Sequence, residues 1–245
     1  MPILFLAWFF VLGQAAWAAG EPAHLWHFDE CEGDILKDSA GAEDLARNAV
    51  WVPGKWQCGL NQAWQAQYDM EKTFATALPA GGLTLSLYWR NSAFPNEGRN
   101  HVYLKKADGS IVAGIRPSIY SQTLYYDGGA TAAIPALPSD DNWHLITITY
   151  GPSELVYYLD GEARAVFNGN YAVNSPITAL EIKGENWPVE MDELAIWTSA
   201  LDAGEVATLY SSNSPVAPYT PPPAPEPARL IHLWHFDEGA GVLAA

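Results

Sequence analysis

The segment HLWHFDE occurs twice, at His24 to Glu30 and at His232 to Glu238, and Gly33 and Gly241 hold equivalent places after each copy. Seven identical residues are too many for local propensity to repeat by chance. His232 lies roughly 210 residues beyond His24, far above the roughly 20 to 50 residues of a solenoid unit and within the size of a whole domain. The repeated unit is therefore a domain. One complete copy is expected over 21–212, and 230–245 is expected to be the truncated start of a second copy in a longer tandem protein.

Between the two, SPVAPYTPPPAPEPA places seven prolines from Pro215 to Pro227, too dense for helix or sheet, so 213–229 is expected to be a semi-rigid linker. Residues 1–18 have an apolar run ending in Ala16-Trp17-Ala18, the pattern of a cleaved export signal. The alternative, an uncleaved anchor, meets a run short for a span of about 20 residues. No other stretch has the length to cross a bilayer, so the mature domain is expected not to insert in a membrane and to lie outside the cell or on its surface. Two thiols in such a compartment usually pair, which predicts a Cys31–Cys58 disulfide. Gly239 stands in the second copy where Cys31 stands in the first, so the fold does not require the bridge. A net charge of -16 repels phosphate backbones and argues against a nucleic-acid partner. It suits divalent cations, and equally plain solubility.

Most of the remaining periodicity is two. In LTLSLYWR, Leu83, Leu85, Leu87 and Trp89 alternate with Thr84, Ser86, Tyr88 and Arg90, which predicts a half-buried strand. WHLITITY and ELVYYLD are rich in β-branched and aromatic residues, and ADGS, YDGG and LDGE supply Asp-Gly hairpin turns. One helix breaks the pattern, in LDAGEVATLY, where Asp202 and Glu205 have capping-box spacing. The expected fold is all-β: a two-sheet antiparallel sandwich with one short C-terminal helix.

HLWHFDE followed by DSAG, then LTLSLYWR, NWHLITITY, VYYLDGE and MDELAIWTSALDAGEVATLY, resembles in its order the laminin G-like, concanavalin A-like jelly-roll domains of secreted and surface bacterial proteins. The resemblance covers nearly all of 24–210; Cys31 stands where that family usually has Gly. It implies a two-sheet jelly roll whose first and last strands are neighbours, use in binding or adhesion, and often a calcium ion.

VEMDELAIW looks like the acid-bearing strand of laminarinase-like glycosidases on the same kind of sandwich. A retaining glycosidase needs carboxyl groups about 5–5.5 Å apart. Glu190 and Asp192 share a strand face, but Glu193 points the other way and Leu194 and Ala195 occupy the places of a second acid, so no enzymatic role is expected. Asp192 alternates with Leu194 and Ile196, which places it on the apolar face, where a carboxylate must find donors or a cation. With Asp29 at the end of the first strand and Asp38 in a turn, it forms a candidate Ca²⁺ shell; the alternative is a set of hydrogen-bonded acids capping turns. His24 and His27 are three apart on a strand and point to opposite faces, which defeats a chelating pair.

Most tryptophans sit in alternating runs and belong to the core. Trp187, between Asn186 and Pro188, is expected on a loop, with Tyr125 and Tyr126 beside it, as a flat surface for sugar rings; exposed loop aromatics without a ligand are the alternative. The expected function is a secreted, non-catalytic binding or adhesion module for a polysaccharide or glycoprotein. An accessory module of a glycan-degrading enzyme and a structural spacer remain the alternatives. The second HLWHFDE is also expected to fit the sheet edge used by the first.

Overall fold

The computed structural model of the chain describes residues 20–62, 69–91, 98–117, 122–130, 134–138, 140–186 and 189–212. The segments expected to be an export signal and a linker, and the second HLWHFDE, lie outside them. In chain order the strands are β1 (His24–Trp26), β2 (Ile35–Leu36), β3 (Leu45–Ala46), β4 (Val50–Pro53), β5 (Cys58–Gln62), β6 (Met70–Leu78), β7 (Leu83–Arg90) and β8 (Gly98–Lys105). They continue as β9 (Ile111–Arg116), β10 (Thr123–Tyr126), β11 (Gly129–Ala130), β12 (His144–Tyr150), β13 (Glu154–Leu159), β14 (Glu162–Asn168), β15 (Ile177–Asn186) and β16 (Val189–Trp197). The helix α1 (Ala203–Ser211) follows.

An eight-stranded sheet runs β14-β13-β12-β7-β16-β5-β4 with β1 also on β16, and a six-stranded sheet runs β11-β10-β9-β8-β15-β6. The pairings are antiparallel. The first and last strands are neighbours, His24 opposite Ile196 and Trp26 opposite Leu194. Inward side chains of both sheets, among them Trp26, Leu85, Trp89, Val102, Ile115, Ile148, Leu180 and Ile196, form one core. The chain is a mostly antiparallel β-sandwich with one short helix near its C-terminal end.

Alternation predicts a half-exposed β7, yet Leu83 to Trp89 are all buried. The reason is a second apolar layer on the outer face of the eight-stranded sheet. Tyr88, Leu145, Val156, Ala195 and Trp197 pack there against Leu201, Val206 and Leu209 from α1 and its approach. The polar members of that face pair with each other: Ser86 Oγ lies 3.0 Å from Thr147 Oγ1. The helix begins as its sequence dictates, with Asp202 accepting from the Glu205 amide at 2.9 Å and Glu205 accepting from the Asp202 amide at 2.7 Å. One outer face of the sandwich is thus covered by the chain itself, whereas among the described residues no helix lies on the outer face of the six-stranded sheet.

Candidate functional site

Two regions gather polar and aromatic groups. The first is a seam in the eight-stranded sheet. On one side of β16 two short strands lie end to end: β5 pairs with its first half, as far as Met191 opposite Leu60, and β1 with its second half, from Leu194 opposite Trp26. Asp192 and Glu193 stand at the junction. On the other side Asp192 pairs with Tyr88 and Ala195 with Ser86, so Glu193 and Leu194 together oppose Leu87 and Glu193 takes a φ of 52°. Such a bulge reverses the alternation of the strand. Met191 enters the core before it and Leu194 after it, so Asp192 falls on the outer face beside Tyr88. This corrects the placement of Asp192 on the apolar face, which assumed an unbroken period of two.

The seam's loose donors are taken up by these acids. Asp192 accepts from the amides of Lys55 at 2.7 Å and Trp56 at 3.2 Å. Asp29 accepts from the Cys58 amide at 3.2 Å and from the Gln57 side chain at 3.3 Å, and Glu193 lies 2.9 Å from His27 Nδ1. The Cys31–Cys58 disulfide fastens the chain just beyond β1 to the start of β5, closing a loop at a sequence separation of 27. Such a loop restricts the unfolded chain by about 2–4 kcal/mol. Burial pushes the Asp29 carboxyl up to about 6, with the charge of Glu193 adding to it against the Cys58 amide. Burial, then Glu193 and Asp29, hold the Asp192 carboxyl well above the ordinary carboxylate range. For His27 burial acts downward, but the hydrogen bond and charge of Glu193 outweigh it and raise the imidazole.

Asp38 belongs to a separate network. Its carboxylate meets His24 Nδ1 at 2.7 Å and accepts from the amides of Leu25 at 3.0 Å, Gly41 at 2.9 Å and Glu43 at 3.0 Å. Burial raises it, yet His24 and those amides outweigh burial and bring it down to about 2. It is a hydrogen-bonded turn acid, and its oxygens are spent. Among the described residues no group of three or more His, Cys, Asp or Glu is arranged to hold a metal ion. Of the three candidate calcium acids, Asp29 and Asp192 stand at the seam and Asp38 stands in the His24 network. His24 and His27 serve different acids, as their spacing dictates.

The other acid of the strand, Glu190, is buried, ion-paired to Arg90 and within 3.4 Å of Asn61 Nδ2. Arg90 in turn lies 4.7 Å over the Trp143 ring.

The second region is the outer face of the six-stranded sheet. Val102 and Leu104 enter the core, so His101, Tyr103 and Lys105 face outward on β8. Gly114 on β9 is the register partner of both Tyr103 and Tyr125. With no side chain between them, the two tyrosine rings meet edge to face at 5.0 Å, and His101 extends the row at 5.1 Å from Tyr103. Gly114 has φ 154°, and a Cβ there would collide with the Val102 carbonyl oxygen. Tyr103 is only 6% exposed and backs the half-exposed Tyr125.

Beside this row runs a chain of ion pairs. Lys105 meets Glu181 and, at 3.6 Å, Glu71; Lys183 meets Glu181 at 3.2 Å and Asp69 at 3.9 Å. Glu71, Lys105, Lys106 and Thr178 help line a shallow depression of about 300 Å³ at one end. Tyr126, next to Tyr125 on the strand, points the other way, packing against the core and edge to face with Tyr171 at 5.1 Å. The expected pairing of Tyr125 and Tyr126 on one surface is corrected accordingly, since neighbours on a strand take opposite faces. Trp187 lies outside the described residues. Sequence reasoning missed Tyr103, His101 and Gly114, although the alternation HVYLK already separates Val102 and Leu104 from their outward neighbours.

Residues 66–207 match the model of a family described as the concanavalin A-like lectin/glucanases superfamily. No curated protein matches the chain. Among solved structures, a Trypanosoma rangeli sialidase is similar over 80% of this chain and 33% of its own, with TM-score 0.60 and 15% identity. The receptor binding domain of botulinum neurotoxin type G matches 80% of this chain and 52% of its own, with TM-score 0.60 and 13% identity. The binding domain of paraclostridial mosquitocidal protein 1 matches 77% and 51%, with TM-score 0.58 and 17% identity. The chain thus spans about a third of the sialidase and half of the two toxin domains, and at these identities the likeness is one of fold.

Proposed function

The chain belongs to the concanavalin A-like lectin/glucanases superfamily, and from that premise we propose that it is an exported, non-catalytic module that binds a polysaccharide or glycoprotein glycan on the outer face of its six-stranded sheet. The observation that carries the reading is the row of Tyr125, Tyr103 and His101 across Gly114 with ion-paired Lys105, Glu181 and Glu71 beside it. Aromatic rings offer sugars an apolar face, and the flanking charges offer hydroxyl groups donors and acceptors already held in place. Lys105 and Glu181 neutralise each other, which suits a polyhydroxylated ligand in an otherwise acidic protein. The two toxin domains that share the fold are binding domains, which is in keeping with a binding role.

The non-catalytic part rests on the acids of β16. Glu190 is engaged by Arg90, Asp192 by two main-chain amides and Glu193 by His27, so each is committed within the protein. Calcium at Asp29 and Asp192, which stand together at the seam, is a structural accessory of this reading: it would compete with the Cys58, Lys55 and Trp56 amides for their oxygens, and main-chain oxygens or water would complete such a shell.

A glycan array probed with the full chain and with Tyr125→Ala tests the proposal. Binding to one glycan class, weakened two- to tenfold by the substitution, is expected, since an aromatic contact is worth about 0.5–1.5 kcal/mol. No binding to any glycan would favour a structural spacer, and binding unaffected by the substitution would move the site off this face.

A further inference from the structure

The seat of β1 is specified by seven consecutive residues, and each has a partner. His24 meets Asp38 at 2.7 Å, the Leu25 amide donates to Asp38 at 3.0 Å, and the Trp26 indole donates to the Glu43 carbonyl at 3.2 Å. His27 meets Glu193, Asp29 accepts from Cys58, and Glu30 accepts from the Lys37 amide at 2.7 Å. Trp26 and Phe28 are completely buried. Residues 232–238 repeat all seven side chains in the same order. Every one of these contacts is therefore available to them; the two segments differ just before the repeat, where Ala23, whose amide donates to the Ile196 carbonyl at 2.7 Å, corresponds to Ile231, and at the eighth position. There the first copy has Cys31, bonded to Cys58, and the second has Gly239.

We infer that residues 232–238 are a second competent occupant of the β1 seat, and that the Cys31–Cys58 bridge is the device that keeps the first copy in it. The bridge holds the chain just beyond β1 to the start of β5 across the seam, so while it is closed the first copy stays tethered beside its seat and re-enters it ahead of any rival. When it is open, two segments of identical sequence compete for β16 on equal side-chain terms, and a segment that fits an existing edge is a route to exchange between copies of a chain. Residues 213–231 are long enough, at about 3.1 Å per residue in a proline-rich segment, to deliver the second copy to the seat of its own or of a neighbouring chain.

The test is a trap in the full chain. Cys31→Ser combined with Gly239→Cys moves the thiol from the first copy to the second and leaves Cys58 in place. Peptide mass mapping without reduction is expected to find position 58 linked to position 239, within one chain or between two. Adding Trp234→Asp and Phe236→Asp should abolish that link, because Trp26 and Phe28 fill places with no room for a charge. Free thiols at both positions, or a link that survives the aspartates, would overturn the inference. Should the trap variant fold poorly, hydrogen exchange on the unmodified chain decides. Reducing the native bridge is expected to raise the protected fraction of 232–238 at least tenfold while 24–30 loses protection, and no change in 232–238 on reduction would refute it.

Discussion

Gly114 is where the outer face of the six-stranded sheet depends on one residue. Its φ of 154° disfavours any side chain, and a Cβ would press on the Val102 carbonyl, so Gly114→Ala is expected to cost about 2 kcal/mol or more in urea denaturation. It should also spread Tyr103 from Tyr125 and weaken glycan binding. A second residue sets a pH dependence. His144 is held by Asp160 at Nδ1, 2.8 Å, and by Asp140 at Nε2, 2.9 Å. Burial lowers its proton affinity, but the two carboxylates outweigh burial and the imidazole is raised above 6.5. A histidine raised on folding stabilises fully below its unfolded value and loses that contribution as pH climbs through the folded one. Stability should therefore decline above pH 6.5, and His144→Gln should flatten the decline in denaturation curves taken from pH 6 to 9. An unchanged slope would assign it to His27, which is raised by Glu193.

Elements differ in how far their sequences announce them. The capping box of α1 is local, with Asp202 and Glu205 each satisfying the other's amide, and Asp202→Ala is expected to cost about 1 kcal/mol by thermal melting. β7 and β12 were legible from alternation and β-branched content because each rests on one unbroken period. β16 was not. Its bulge falls on Glu193, a residue with no special preference for positive φ, and is imposed by the meeting of β1 and β5 along one edge. That meeting is a tertiary fact, invisible in MDELAIW itself, and it moved Asp192 to the opposite face. Asp29, Asp192 and Glu193 line a splice between strands, where the first two accept from main-chain amides and the third meets His27. The aromatic row failed to appear for a different reason: Tyr103, Gly114 and Tyr125 lie on three strands, and only register brings them together.

At the scale of the whole molecule the two outer faces have different fates. The helix and its apolar layer close one, while the other carries the aromatic row, the ion pairs and the depression. The seam connects to stability through its buried acids. If Asp29 and Asp192 hold Ca²⁺, melting in Ca²⁺ at ten times its Kd should exceed melting in EDTA by about 3–6 °C. Equal midpoints would leave both as hydrogen-bonded acids only. The outer face of the six-stranded sheet is the one proposed to bind. Hydrogen exchange of the full chain with and without its best array glycan tests this most directly: added protection is expected in β8, β9 and β10 around Tyr103, Gly114 and Tyr125, with β1 and β16 unchanged. Protection confined to β1, β16 or α1 would contradict it.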